Sequence, residues 1–186
     1  MRDAALNAMV MAVEGLATGR SHVFSDAVLV HAVRQFAALL PEFARDTATP
    51  DRRVDAALAA ILVGEGTDTT GGGLTAAFSH TIGHHYGARN GAVDAILLPH
   101  VLDRLPPEPP AREAIADGLG CARRDLGTRL REVLAVPGAP GRLRDVGVRL
   151  EDLRGLAEEA GGDFSYRRAA GRLDTDDVVD IMRAAW

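Results

Sequence analysis

Apolar residues recur along this chain every three or four positions, in bursts separated by Gly, Pro and Thr. Leu6, Met9, Val10, Val13 and Leu16 keep that spacing over residues 3–17, which predicts an amphipathic helix with Gly19 as its stop signal. SDAVLVHAVRQFAALLPEFARD predicts a second helix, capped by Ser25 and ended or kinked at Pro41. TPDRRVDAALAAILVGEG predicts a third, with Thr49 as N-cap and Pro50 at the first helical position. TDTTGGGLT reads as a loop, because three consecutive glycines disfavour helix and strand alike. LTAAFSHTIGHHYG and GAVDAILLPHVLDRL predict a fourth and a fifth helix, followed by the stiff connector PPEPP. Further helices are expected over about 111–119 and 122–135, then a loop at VPGAPG. EDLRGLAEEAGG and DTDDVVDIMRAAW close the chain as two helices. Asp174, Asp176 and Asp177 lie at the positive end of the second. No segment alternates with period two, so the expected fold is all-α: a single helical domain over residues 1–186, built as an irregular bundle.

Composition sharpens this picture. Hydrophobic residues make up 47% of the chain and aromatics only 4%, which favours helices packed closely through small side chains. The net charge of −5 and the lack of a basic run argue against a nucleic-acid partner. All 21 basic residues are Arg, which excludes a catalytic Lys, a Lys Schiff base and a P-loop Lys. Cys121 is the only cysteine, so neither an intramolecular disulfide nor a thiolate zinc cluster can form. The N-terminal apolar face is interrupted by Asp3, Asn7 and Glu14 and lacks the form of a signal peptide. No stretch approaches about 20 apolar residues, so the expectation is a cytoplasmic protein without a membrane span.

The chemistry-bearing residues concentrate in FSHTIGHHYGARNGAVDAILLPHVL, which holds four of the six histidines. His80 and His84 are one helical turn apart and share a face, the spacing that offers two imidazoles to one metal or serves an acid–base pair. His85 points about 100° away. Asp94, a turn into the next helix, can orient a histidine, bind a metal or face solvent. His100 follows Pro99 near a helix end, where the helix dipole favours it as readily as catalysis would.

HTIGHHYG followed by GAVDAILLPHVL resembles the C-terminal helical domain of the iron-containing alcohol dehydrogenases, a dehydroquinate synthase-like bundle, with the maleylacetate reductase branch most similar. LNAMVMAVEGL, RLRDVGV and DIMRAAW extend the resemblance over almost the whole chain. The resemblance implies a metal held by Asp or Asn and a His four residues on, then by two further histidines; those positions here read Asn7, Met11, His80 and Asn90. A thioether is a poor ligand in an oxygen and imidazole site, so the family's metal is not expected here. The family's dinucleotide glycines lie in a nucleotide-binding domain outside these residues. The run Thr70–Gly73 is therefore read as a helix-to-helix turn, and NAD(P) is expected only with a partner chain.

The expected function is a repurposed enzyme, independent of metal and NAD, of isomerase, dehydratase or cyclase type, with secondary metabolism as a candidate setting. His80 and His84 would be its acid–base pair, and Asn7, Met11, Asn90 and Asp94 would contact a small-molecule substrate. The alternatives are a non-catalytic binding protein, the helical subunit of a split NAD(P)-dependent dehydrogenase, and a zinc or iron site rebuilt from His80, His84 and Asp94. A homodimer or a heteromeric partner is expected on the face that the nucleotide-binding domain covers in the family.

Overall fold

In the computed structural model, which describes residues 1–20, 22–169 and 173–186, all regular structure among the described residues is helical. Ten α-helices follow in order: α1 (Arg2–Ala17), α2 (Val23–Ala44), α3 (Pro50–Thr70), α4 (Leu74–Tyr86), α5 (Asn90–Arg104), α6 (Pro109–Leu119), α7 (Leu126–Leu134), α8 (Leu153–Ala160), α9 (Phe164–Ala169) and α10 (Thr175–Ala185). Short 3-10 turns at Arg123–Asp125, Leu143–Val146 and Leu150–Asp152 join the later helices.

Helix ends follow local chemistry. Thr49 caps α3, its hydroxyl accepting from Arg52 N at 3.4 Å, with Pro50 at the first position. Asp174 and Asp177 form a reciprocal box at the start of α10. Replacing Asp174 by Ala is expected to cost about 1 kcal/mol in a denaturant titration, the usual value of such a cap. Three expectations need correction. His22, not Ser25, caps α2; Ser25 sits at the third position and returns the bond by accepting from His22 N at 2.8 Å. α2 also continues past Pro41 to Ala44. The supposed loop from residue 67 shrinks to Gly71–Gly73, because α3 runs on to Thr70. Thr67 Oγ1 donates back to Val63 O at 2.7 Å, so this buried hydroxyl is satisfied within the helix.

α2 is, by length and composition, apolar enough to cross a membrane, contrary to the expectation from the sequence. It packs instead against α1, α3 and α6, burying Leu29, Val33, Phe36 and Leu40 and exposing His31 and Arg34. It is a core helix.

Two hydrophobic clusters make the interior. The larger joins α1, α2, α3, α6 and α7; the smaller joins α4, α8, α10 and the 143–148 segment. α5 serves both, giving Ala95, Leu98 and Leu102 to one and Val93, Ile96, Leu97 and Val101 to the other. It is therefore buried from Gly91 to Pro99, as its nearly unbroken apolar sequence requires. One glycine sets the approach of α5 to α1: a Cβ at Gly91 would lie 1.7 Å from the Asp3 carbonyl oxygen. Only a residue without a side chain fits that crossing. On the outside, Val54, Leu58 and Ile61 leave an apolar stripe along α3, each more than half exposed.

Candidate functional site

The close α1–α5 crossing brings a polar seam into the interior. Asn7 Nδ2 donates to Asp94 Oδ2 at 2.6 Å, and Asp94 is only 1% exposed. Burial pushes the Asp94 carboxyl up to about 7; Asn7 and Ser79 partly offset this, and the nearby Glu14 charge adds to it. Glu14 lies one helical stretch further along α1, fully buried under the N-terminus of α4. Its Oε1 accepts from Thr75 N at 2.9 Å, and a Cβ at Gly73 would collide with its carboxyl at 2.1 Å. Glu14 thus stands in for the missing side-chain cap of α4. Burial still raises it to about 6, against the hydrogen bonds from Thr75, Ala76 and Leu74.

The histidines lie on the outer side of α4. His80 is half-exposed, with Nδ1 3.3 Å from Asp163 Oδ2. Asp163 is held in turn by the Ser165 N–H, which donates to Oδ1 at 2.6 Å. Partial burial alone would raise the Asp163 carboxyl, but the Ser165 and His80 bonds prevail and hold it below the usual range. His85 Nε2 lies 2.7 Å from Glu159 Oε2. His84 meets the His85 ring edge-on, with centroids 5.3 Å apart. The structure therefore gives carboxylate partners to His80 and His85 rather than to His80 and His84. Asp163, Glu159 and Glu14 are the residues that reading the sequence did not single out. Glu159 and Asp163 are four apart, which was visible; that α8 and its C-terminal turn lie beside α4 was not.

Met11 is partly buried against the larger core cluster, and Asn90 is exposed at the start of α5, its Oδ1 close over Gly83 of α4. Among the described residues no three His, Cys, Asp or Glu side chains are grouped to hold a metal ion, so His80, His84 and Asp94 do not assemble into a rebuilt site. Asp94 is buried behind Asn7 while both histidines face outward.

Residues 2–186 match the C-terminal part of the Fe-containing alcohol dehydrogenase family. The chain belongs to that family. It is 30% identical over 202 residues to lactaldehyde reductase of Escherichia coli (strain K12), covering 97% of this chain and 50% of that protein. It is 28% identical over 194 residues to 1,3-propanediol dehydrogenase of Citrobacter freundii, covering 97% of this chain and 49% of that protein. Among solved structures, the alcohol dehydrogenase from Oenococcus oeni superposes with a TM-score of 0.89 at 22% identity, over 100% of this chain and 51% of that one. Maleylacetate reductase from Rhizobium sp. strain MTP-10005 gives a TM-score of 0.79 at 25% identity, over 100% of this chain and 52% of that one. The chain thus spans about half the length of the curated relatives it matches.

The positions that the resemblance assigns to the family's metal ligands carry two amides, a thioether and one imidazole here. Asn7 spends its amide N–H on Asp94, Met11 turns to the core, and His80 turns to Asp163. This donor set does not fit the ferrous iron or zinc of an oxygen and imidazole site.

Proposed function

We propose that this chain is the helical, substrate-facing half of a dehydrogenase-family protein in which His80, held by Asp163, gives a proton to the substrate oxygen or takes one from it. The observation that carries this reading is the His80–Asp163 pair on the outer side of α4. A carboxylate on Nδ1 fixes the tautomer and leaves Nε2 to give or take a proton. His84, four residues on, is the second proton-transfer group, and Asn90 is an amide within reach of the same end of α4. The relatives' names support small alcohols and aldehydes as ligands.

Hydride chemistry requires a nucleotide, and the family resemblance assigns that to a separate α/β half, on the same polypeptide or another. The apolar stripe Val54, Leu58 and Ile61 supports contact with that half, since exposed apolar faces of this kind usually meet a second body. The His80–Asp163 pair also favours a second reading, a non-redox isomerase, dehydratase or cyclase that needs no nucleotide.

The test is a nuclear magnetic resonance titration of the histidine side chains with 1,3-propanediol and lactaldehyde, with and without NADH. The reading predicts that these ligands perturb His80 before any other ring, and that Asp163→Asn alters the His80 ring signals while leaving the fold intact. Perturbation of His80 by aldehyde with no influence of NADH, even with a nucleotide-binding half present, would favour the non-redox reading. Ligands that leave His80 and His84 unmoved would overturn both and leave a non-catalytic protein.

A further inference from the structure

A separate cavity of about 200 Å³ opens between α5, α7 and the loop after α7, away from the histidine face. Ile96, Pro99, Leu134 and Pro140 make its apolar walls, and His100 and Arg131 bring polar groups to it. It is smaller than the roughly 300 Å³ at which drug-sized sites begin, so its occupant is a small molecule.

The two polar residues are unequally committed. Arg131 donates Nη1 to Gly127 O at 3.2 Å and Nη2 to Asp103, leaving its Nε–H without an acceptor among the described residues. His100 is partly buried, and neither ring nitrogen has a hydrogen-bond partner among the described residues. A half-buried imidazole beside a guanidinium, with apolar walls around both, suits a ligand with one anionic end and an apolar body.

We propose that this cavity binds a small carboxylate, its apolar body against Ile96 and Leu134 and its carboxylate shared by Arg131 and His100. Burial and the Arg131 charge hold the His100 pKa below its ordinary value, with Asp103 opposing them. The free site therefore holds a neutral imidazole near pH 7, and a bound carboxylate favours the imidazolium. Binding takes up a proton, so affinity rises as pH falls toward the His100 pKa. The titratable groups facing His100 are Arg131 from α7 and Asp103 from its own helix. The site stands independently of the His80 reading.

Calorimetry and histidine-detected magnetic resonance with butyrate, butyramide and inorganic phosphate test this on the intact chain. Butyrate should shift the His100 ring, bind more tightly at pH 6 than at pH 8, and bind at least about tenfold more tightly than butyramide. Arg131→Gln should weaken butyrate about tenfold, and His100→Gln should abolish the pH dependence while leaving the melting curve close to wild type. Equal binding of butyramide, tighter binding of phosphate, unchanged affinity in Arg131→Gln, or no shift at His100 would each overturn the proposal.

Discussion

Unfolding free energy is expected to fall by roughly 5 kcal/mol between pH 4 and pH 8, at about 1.4 kcal/mol per unit of pKa shift in two buried carboxyls. Glu14 is raised from 4.5 to about 6 and Asp94 from 3.8 to about 7, both chiefly by burial. A raised carboxyl pKa means that the folded state binds its proton more tightly than the unfolded chain does. The unfolded state ionises first as pH rises, so stability is greatest below about 4 to 4.5 and is lost up to about 7. Three groups act the other way: Asp152, held low by the Tyr86 and Arg149 hydrogen bonds, Asp163, held low by Ser165 and His80, and His100, held low by burial. None is buried as deeply as Glu14 or Asp94. The double variant Glu14→Gln, Asp94→Asn keeps shape and hydrogen-bond acceptors while removing the ionisations. Denaturant titrations should show its stability nearly flat over the same range; a slope equal to wild type would mean that these carboxyls do not govern it.

Gly91→Ala is expected to destabilise the protein by about 3 kcal/mol or more, at the upper end of overpacking effects. The obstacle is backbone: the added carbon would lie 1.7 Å from the Asp3 carbonyl oxygen and 2.9 Å from Asn7 N. No rotamer change relieves that, so α1 and α5 must move apart, and with them the Asn7–Asp94 bond. Gly155→Ala is the control. It lies in α8 with nothing within 4 Å of its would-be side chain, so it should raise stability by about 0.5–1 kcal/mol through helix propensity. Thermal melts of the two variants should diverge in sign. A Gly91→Ala protein as stable as wild type would contradict the close crossing.

Much of the helical order was legible because apolar spacing reports one buried stripe per helix, and Thr49, Asp174 and Gly19 mark ends by local chemistry. What failed were features decided by neighbours distant in sequence. Asp94 looks like a surface residue until α5 is known to be packed on both sides by two clusters. The tight turn at Gly71–Gly73 depends on Glu14, some 60 residues earlier, filling the space beneath the start of α4. α9, six residues long, is too short to show a period. For the candidate site, the spacing of His80 and His84 was plain, but the acids that pick out His80 and His85 come from α8 and the turn after it. The residue types at Asn7, Met11 and Asn90 are read directly from the sequence, but what each side chain touches is set by the packing of α1, α4 and α5.

The most direct test of the central claim, that this family member has exchanged its metal for a histidine-centred site, is an anaerobic calorimetric titration with zinc and ferrous iron. Wild type should bind no single equivalent with micromolar affinity, whereas the triple variant Asn7→Asp, Met11→His, Asn90→His, which restores the family's ligand types, should do so. One tight equivalent bound by wild type and lost in His80→Ala would contradict the account and return metal chemistry to this helical domain.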